Sequence, residues 1–501
     1  MKTYDAIVIG SGITGSCTAR ELAKYDLKIA VLEKSYALCA GATRTNSATV
    51  HSGHDALNGS LKAYYNVRGN AMYDKLCADL DVKFNRNGTI LFCLNDADME
   101  TAKRLKENAD RNGVPNVQVL TREELNKLPD GEWGDDVVGA MYAPSGGMVC
   151  PYTLTFAICE NAADNGVDFY LNTPVTDIKK VFKEDGRTVD GYVIKTSNKD
   201  EEEFFAKYVF NCAGVYADVM NNFVSEEKIE IRPRKGSHII LDKKLAPYVH
   251  STWVQAPYDL PDGGHTKGMG IMPSVDGTII LGCEAVTMQD KDDTTSYADG
   301  RDHIINYCKE HWHSLPIAKY YPEFPQNMII TCIAGNRPHS TKDDFILGEP
   351  NDAPGFINEA GIESPGLTAG PAIALDLVTN AAEKYGFTKN DKFNPIRKAI
   401  RPFREMSDEE KAAAIAENPD YGQIICRCEQ ITKAEVLDAI RRPLGAKSVS
   451  GVKMRIRAGM GRCQGGFCSP EVVKILSEEL GIPMTEVLNA GEGSEVLVDE
   501  T

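Results

Sequence analysis

The feature that most constrains this chain is a glycine fingerprint close to its N-terminus. The fingerprint has the spacing G-x-G-x-x-G and consists of Gly10, Gly12 and Gly15. Apolar residues 4–9 predict a buried strand before it, residues 16–24 a helix after it, and residues 28–32 a second strand that ends at Glu33. Glycines at these positions allow a tight turn, close approach of the backbone to a pyrophosphate, and close packing of helix on strand. The helix N-terminus then faces the phosphates and Glu33 is placed to bind ribose hydroxyls, so we expect a dinucleotide site.

The fingerprint does not distinguish FAD from NAD, and a small, polar, glycine-rich segment favours FAD. Residues 41–53 form this segment, which is suited to wrap a pyrophosphate and a flavin ring. Its candidate contacts to the cofactor are Thr43, Asn46, Ser47 and His51. We interpret His51 as a residue that packs against the flavin, with a catalytic role as the alternative.

Two later strands end in turns that also suit a bound flavin. Residues 208–212 predict the first strand, and residues 356–360 predict the second. A helix follows the second strand, with Ser364 as its expected N-cap and Pro365 at its first position. The two turns and the helix start supply the candidate cofactor contacts Ala213, Gly214, Gly361, Gly366, Leu367 and Thr368. A helix N-terminus aimed at the pyrimidine edge of a flavin would stabilise the negative charge of the reduced ring.

Length and composition indicate a globular protein of several domains. A chain of 501 residues is too long for one ordinary core, and its 42% hydrophobic and 25% charged residues are typical of a globular mixture. The net charge of -17 argues against nucleic acid as a partner. The longest apolar runs are too short to span a bilayer, and no signal peptide precedes the first strand. Fourteen cysteines then favour reduced thiols and a cytoplasmic setting that permits metal binding.

Four cysteines near the C-terminus form a second motif, C-x-C, a gap of 34 residues, and C-x4-C. They are Cys426, Cys428, Cys463 and Cys468. Four thiolates hold either zinc or a [2Fe–2S] cluster, and structural zinc favours a wider first pair than C-x-C. The pattern therefore favours the cluster, with zinc and free thiols as alternatives. A capping box at 432–435 predicts one helix, and residues 469–480 predict another whose N-terminus favours the thiolate of Cys468.

These segments, in this order, resemble the D-amino-acid-oxidase-like superfamily of FAD enzymes over residues 1–380. The resemblance implies an α/β fold, in which a Rossmann-like FAD-binding domain is interleaved with an α+β substrate domain, and a small helical [2Fe–2S] domain follows. The expected boundaries are 1–400 for the oxidoreductase unit (FAD-binding about 1–90, 145–230 and 330–400; substrate domain about 91–144 and 231–329), 401–422 for a linker, 423–485 for the [2Fe–2S] domain and 486–501 for an acidic, loosely ordered tail.

Two subfamilies compete within this resemblance. Residues 235–239 and 335–338 are similar to FAD-dependent glycerol-3-phosphate dehydrogenases, whereas residues 360–368 are more similar to L-2-hydroxyglutarate oxidases and dehydrogenases. Both imply that the first glycines and Glu33 bind FAD and that substrate lies under the flavin between two lobes. The resemblance further implies that Arg337 grips the substrate anion and that His238 lies near the hydroxyl as a base. The plainer alternatives are a surface arginine and a buried core histidine.

The sequence departs from the glycerol-3-phosphate enzymes at two positions that usually carry cations. An arginine is expected at 54–56, where the chain has His-Asp-Ala, and a lysine is expected at Gly366. Lys62, Lys267 or Arg337 are the residues that could replace those charges.

Residues 423–482 resemble the bacterioferritin-associated-ferredoxin-like [2Fe–2S] domain, which is also fused to anaerobic glycerol-3-phosphate dehydrogenases. We therefore expect an FAD-dependent dehydrogenase that oxidises a small anionic secondary alcohol, with glycerol 3-phosphate first and L-2-hydroxyglutarate or another 2-hydroxy acid second. The alternative from another class is an electron-transfer subunit of a flavoprotein complex. The expected partner is a second flavoprotein or other electron-acceptor subunit, and the expected location is the cytoplasm, with membrane contact only through partners.

Overall fold

The structure is a computed structural model that describes residues 1–198, 200, 202–256 and 268–499. In chain order its strands are β1 (Lys2–Ile9), β2 (Ile29–Leu32), β3 (Thr49–Val50), β4 (Phe84–Asn85), β5 (Thr89–Cys93), β6 (Gln118–Thr121), β7 (Gly139–Ala143), β8 (Gly147–Val149), β9 (Asp168–Tyr170), β10 (Val175–Phe182), β11 (Val189–Thr196), β12 (Glu203–Asn211), β13 (Ile231–Leu241), β14 (Thr252–Gln255), β15 (Gly270–Pro273), β16 (Ile279–Gly282), β17 (Val286–Thr287), β18 (Ile329–Ser340), β19 (Ile346–Gly348), β20 (Phe356–Ala360), β21 (Ile424–Cys426) and β22 (Ile431–Thr432).

The α-helices of the described residues are α1 (Ile13–Leu22), α2 (Leu61–Asp79), α3 (Asp96–Asn112), α4 (Arg122–Leu125), α5 (Pro151–Asp164), α6 (Ala217–Val224), α7 (Ala298–His311), α8 (Gly366–Tyr385), α9 (Asp408–Glu417), α10 (Lys433–Arg441), α11 (Val449–Ile456) and α12 (Ser469–Leu480). Among the described residues, no helix is both long and apolar enough to cross a membrane.

The N-terminal fingerprint opens a largely parallel sheet with the order β10-β11-β12-β1-β2-β9. β1 pairs in parallel with both β2 and β12, and β20 pairs in parallel with the C-terminal half of β12. The central strands are buried on both faces, as a sheet covered by helices requires. The Rossmann-like part of the predicted fold is therefore present.

A second, mostly antiparallel sheet has the order β17-β13-β16-β15-β14-β5-β7-β6, with β18 paired to β13. Its apolar face packs against α7 and surrounds Trp133, Trp253 and Trp312, each of which is nearly fully buried. The strands of this sheet come from chain segments that alternate with those of the first sheet. The two sheets are therefore interleaved along the chain.

The C-terminal part is a small helical unit that is preceded by α9. The predicted capping box is present, since Thr432 and Glu435 cap α10, and a second one, Ser407 with Glu410, caps α9. α12 spans the predicted residues. The tail is more ordered than we expected, because Asn489 N donates to the backbone of Ser494 at 2.7 Å and closes a turn.

Buried ion pairs seat this unit on the rest of the protein. Glu429, which is 3% exposed, accepts bonds from Lys243 at 2.7 Å and from Arg457 at 2.9 Å. Asp276, in the turn between β15 and β16, is 2.9 Å from Arg457 and 3.3 Å from Arg404. The unit is thus bound to the second sheet through charges that are shielded from water, where breaking one partner is costly.

Glu359 on β20 provides a test of the packing between the first sheet and α1. Its carboxyl group is fully buried and accepts a bond of 2.5 Å from the Thr18 hydroxyl, while its Oε2 has no partner among the described residues. Burial raises the pKa of Glu359 to about 7, although bonds from Thr18 and Cys212 oppose this shift. The folded state therefore holds a proton that the unfolded chain releases near its ordinary pKa of 4.5.

We expect Glu359→Gln to weaken the pH dependence of stability. In the wild type this group contributes stability that is complete below pH ~4.5 and is lost as the pH rises toward ~7, about 3 kcal/mol in all. Relative to wild type, the variant should gain in apparent melting temperature between pH 5 and pH 8. Glu383→Gln, at an exposed site on α8, is the matched control. Identical pH profiles for Glu359→Gln and wild type would contradict burial of an ionisable carboxyl group here.

Candidate cofactor and substrate sites

The three glycines of the fingerprint stand where side chains have no room. Gly10 has φ +101°, and a Cβ on it would lie 2.5 Å from the Cys212 carbonyl oxygen. A Cβ on Gly15 would lie 2.0 Å from the Gly10 oxygen, so that α1 packs directly on the turn after β1. Gly12 is the N-cap of α1 and offers no side-chain bond, and the first turn carries no acidic residue. An uncapped, acid-free helix start beside a close backbone turn fits the pyrophosphate of a dinucleotide.

Glu33 lies directly after β2, where the sequence predicted it. Its Oε2 accepts from Ser11 N at 2.9 Å and from Ser11 Oγ at 2.7 Å, and its Oε1 accepts from Ser35 N at 2.8 Å. The carboxylate therefore fixes the glycine turn to the end of β2. Its contact with ribose hydroxyls stays a prediction.

The segment predicted to wrap the cofactor forms a 3-10 turn, Ala42–Thr45, against the start of α1. Thr43 Oγ1 accepts from Ile13 N at 3.0 Å, and Asn46 Nδ2 donates to the Thr43 carbonyl at 2.8 Å. Ser47 follows in the same segment, two residues before β3. Thr45 Oγ1 is buried and has no partner in the described part of the chain. This orphaned hydroxyl beside the glycine turn is a second observation that fits a bound dinucleotide.

His51 joins this segment to α8. Its backbone N donates to Thr368 Oγ1 at 2.9 Å, and its Nε2 lies 3.4 Å from Ser364 Oγ. Tyr73 OH donates to the Leu367 carbonyl. α8 begins at Gly366 with Pro365 as its N-cap, one residue later than we expected, because Pro365 has non-helical ψ. The predicted contacts from 51 and from 366–368 thus lie together at one helix start.

The remaining predicted cofactor residues lie on neighbouring turns. Ala213 and Gly214 follow β12, and the Ala213 Cα is 3.5 Å from where a Cβ on Gly10 would stand. Gly361, after β20, has φ +69°, which glycine adopts easily. The structure therefore brings the turn after β12 beside the fingerprint. No contact of these residues with FAD has been tested, and their roles stay predictions.

The β13–β18 ladder carries the predicted substrate residues. Arg234 pairs with Arg337, Gly236 with Gly335, and His238 with Ile333. Side chains two residues apart on a strand share a face, and directly paired residues share it too. Arg234, Arg337 and His238 therefore lie on one face of the ladder.

This face meets the cofactor segment. A Cβ on Gly335 would lie 1.7 Å from Thr45 Oγ1, so β18 passes directly over the 3-10 turn. The Arg337 guanidinium lies over Gly236, where a Cβ would be 2.2 Å from Nη2. Its Nη2 donates to the Glu284 carbonyl at 3.2 Å and to Cys283 Sγ at 2.9 Å. These bonds fix the guanidinium but leave its charge without a carboxylate partner among the described residues.

His238 is 2% exposed, and neither ring nitrogen has a partner in the described residues. Burial in the first place, and Arg337 in the second, lower the pKa of His238 to about 3. The imidazole is therefore neutral and has a lone pair to accept a proton. A buried polar ring without partners indicates a group that pairs with a ligand.

Sequence analysis missed Arg234, which supplies a cation beside Arg337. It lines a cavity of about 250 Å³ together with Arg232, Pro233, Thr287, His339, Thr341 and Asp343. No strand was predicted over residues 234–237, so the position of Arg234 opposite Arg337 follows only from the register of β13 with β18. Lys62 is a poor substitute, because its Nζ is 2.7 Å from Glu363. Lys267 lies outside the described residues.

The four C-terminal cysteines form two pairs. Cys428 Sγ and Cys463 Sγ are 3.7 Å apart, and the Cys468 thiol bonds to Cys426. Within the described residues no three metal-binding side chains converge on a single ion. Two pairs of thiols suit a two-iron cluster, with two ligands for each iron, better than one tetrahedral zinc.

We expected the N-terminus of α12 to favour the thiolate form of Cys468, and this prediction is wrong for the thiols without a bound metal. The bond from Cys468, with backbone bonds from Gly459 and Glu429, lowers the pKa of Cys426 to about 6, although burial opposes it. Cys426 in turn raises the pKa of Cys468. The neighbouring thiol outweighs the N-terminus of α12, and Cys426 is the more acidic member of the pair.

Comparison with known proteins identifies both the long N-terminal part of the chain and the small C-terminal unit. Residues 5–379 match the family of FAD dependent oxidoreductases, and residues 424–478 match the BFD-like [2Fe-2S] binding domain. The chain is 42% identical over 502 residues to a glycerol 3-phosphate dehydrogenase of Caloramator mitchellensis, with 99% of each chain covered. It is 27% identical over 291 residues to the mitochondrial L-2-hydroxyglutarate dehydrogenase of Homo sapiens, covering 57% of this chain and 61% of that one.

A solved structure has a similar fold. L-α-glycerophosphate oxidase from Mycoplasma pneumoniae with FAD bound superposes with a TM-score of 0.71 and 26% identity, covering 80% of this chain and all of that one. The matches confirm the predicted fold class and both predicted cofactors, FAD and a [2Fe–2S] cluster.

Gly15→Ala should abolish most FAD binding, because the new methyl group collides with the Gly10 carbonyl and separates α1 from the turn. We expect flavin per chain to fall about tenfold or more, measured by absorbance of the purified protein. Gly422→Ala is the control, since this glycine lies outside the cofactor segment and a Cβ there meets only Ile415 Cγ2, at an ordinary 3.6 Å. Iron content should be normal in both variants. Full flavin content in Gly15→Ala would refute the placement of the pyrophosphate at this turn.

Proposed function

This chain belongs to the family of FAD dependent oxidoreductases, and on that basis we propose that it oxidises glycerol 3-phosphate to dihydroxyacetone phosphate and delivers the electrons to a partner protein. The observation that carries the substrate class is the shared face of the β13–β18 ladder. Among the residues that the structure describes, it combines two guanidinium groups without carboxylate partners and one neutral, unpaired imidazole. The full-length relative named a glycerol 3-phosphate dehydrogenase supports the same substrate.

In this proposal Arg337 and Arg234 bind the phosphate. Two cations suit a dianion, and the planar guanidinium of each can donate two parallel bonds to its oxygens. The backbone carbonyls of Lys235 and Glu284 orient Arg337 over Gly236. The anion would then lie near Gly236, which is the next residue to His238 on the same face of β13. These contacts replace the cations that the sequence lacks at 54–56 and at Gly366.

His238 is the proposed base for the carbon-bound hydroxyl. It would take the hydroxyl proton on Nδ1 or Nε2, both of which lack partners in the described structure. FAD, when bound, supplies the acceptor for the hydride that leaves the same carbon. A dianion at Arg337 would offset the guanidinium charge, which is the second cause of the lowered pKa of His238 after burial, so substrate binding would make this base stronger. His51, held beside the start of α8, is the second candidate for the base.

The proposed electron path continues through the C-terminal unit to a second flavoprotein or another acceptor subunit. Cys428 is exposed, Cys463 is half-buried, and the adjacent Phe467 is 86% exposed. One edge of the cluster site therefore reaches the surface, where a protein partner can accept single electrons. All fourteen cysteines are free, which suits a reducing, cytoplasmic location.

Arg337→Ala should raise KM for glycerol 3-phosphate strongly and leave FAD bound. Loss of charge-assisted bonds to the anion should lower kcat/KM by about 100-fold. Arg187→Ala, in an exposed turn between β10 and β11, is the control. Anaerobic bleaching of the flavin by glycerol 3-phosphate, L-2-hydroxyglutarate and other hydroxy acids measures substrate choice directly. Bleaching by a 2-hydroxy acid alone would replace the proposed substrate, and bleaching by none would favour an electron-transfer subunit.

Cys463→Ser should separate the two redox centres. The variant should lose the cluster absorbance, keep its FAD and still be bleached by substrate in a single turnover. Turnover with the protein acceptor should fall at least tenfold, while a small dye that reaches the flavin still supports activity. Cys308→Ser, at a buried cysteine far from the motif in sequence, is the control. Full activity of Cys463→Ser with the protein acceptor would mean that the cluster is structural.

A further inference from the structure

Two positively charged side chains lie on elements that both contact α5, where the C-terminal unit meets the cofactor segment. Arg44 belongs to the 3-10 turn Ala42–Thr45, and Lys453 belongs to α11. α11 is seated on α5, since the Arg455 guanidinium lies 4.4 Å from the centre of the Phe156 ring. The interface is therefore formed by ordered, packed elements.

Neither cation has a carboxylate partner in the described residues, although both are half-buried. Burial first, and then Arg44 and Arg457, lower the pKa of Lys453, while Cys468 acts in the opposite direction. Arg457 differs from the other two, because Asp276 and Glu429 neutralise it. A like-charged, partly buried pair is unfavourable unless a negative group lies nearby.

Each of the two cations adjoins one cofactor site. A Cβ on Gly459 would lie 4.0 Å from Lys453 Cδ, and the Gly459 N–H donates to Cys426, a cluster ligand. Arg44 is adjacent in sequence to Thr43, which bonds to the start of α1. FAD brings a pyrophosphate to that helix start. Four thiolates give a [2Fe–2S] site a net negative charge, which grows by one when the cluster accepts an electron.

We propose that Arg44 and Lys453 form an electrostatic link between the two redox centres, in which Lys453 stabilises the reduced cluster. If bound FAD passed its two electrons to the cluster singly, each transfer would add one negative charge to the cluster until the partner removed it. A cation near the cluster favours the state with the added electron. Arg44, next in sequence to the residue that bonds to the start of α1, adds a second positive charge to this region. This inference rests on the proposed function only in assigning the cluster as the acceptor of flavin electrons.

The test is a potentiometric titration of the cluster in the complete FAD-containing protein, with dithionite as reductant and the reduced cluster followed by electron paramagnetic resonance. In Lys453→Met the equilibrium constant for cluster reduction should fall on the order of tenfold, as removal of one nearby charge predicts. Lys453→Arg should restore it. Lys447→Met, an exposed lysine of the same unit, should match wild type. Iron and sulfide contents should be equal in all of these proteins.

Arg44→Met should shift the same equilibrium in the same direction by a smaller factor. If Lys453→Met loses its cluster, this variant decides the question, because Arg44 lies outside the C-terminal unit. Unchanged cluster potentials in both variants, or an equal shift in Lys447→Met, would overturn the inference. The titration needs no substrate, so failure of the proposed substrate would leave its result intact. Absence of a cluster spectrum in wild type would overturn this inference with the cluster assignment.

Discussion

The buried carboxylate of Glu429 is the interaction on which the arrangement of the redox centres depends. It lies next to the ligand Cys428 in sequence, and it binds Lys243 after β13 as well as Arg457 after α11. One negative charge thus joins the cluster motif to the sheet that carries the substrate residues. Because all of its partners are cations shielded from water, removing any one leaves an uncompensated buried charge. The position of the cluster is therefore coupled to the substrate lobe.

The distribution of charge explains how a chain with a net charge of -17 can bind anionic ligands. Most of its cations are neutralised in ion pairs, as Lys62 is by Glu363. Within the part of the chain that the structure describes, Arg234 and Arg337 have no carboxylate partner beside the proposed substrate site, and neither do Arg44 and Lys453 beside the proposed cofactor sites. Local fields at a site depend on such unpaired groups far more than on net charge. Arg337 contributes in this way to the lowered pKa of His238, although burial of the imidazole is the larger cause.

Local patterns in the sequence predicted the parts of the site that are themselves local. The glycine turn, the capping box of α10, and the C-x-C and C-x4-C pairs each occupy a short segment whose geometry follows from backbone rules. The boundaries were less accurate, since α8 begins after Pro365 and not at it. The acidity of the cysteines was also misassigned, because the helix start that favours Cys468 is weaker than its contact with Cys426. That contact joins residues 42 positions apart.

The sequence by itself determined the cofactor classes, the fold class and the order of the main elements, because each depends on residue types at fixed spacing. Only the tertiary structure decided which side chains share a face and which charges lack a partner. Arg234 and Arg337 are about a hundred residues apart and become neighbours through the register of β13 with β18. Arg44 and Lys453 come near each other only because the 3-10 turn Ala42–Thr45 and α11 both contact α5. Such contacts arise from long-range strand pairing and domain docking. Their interaction free energies depend on residues far apart in the chain, so the sequence of one short segment cannot predict them.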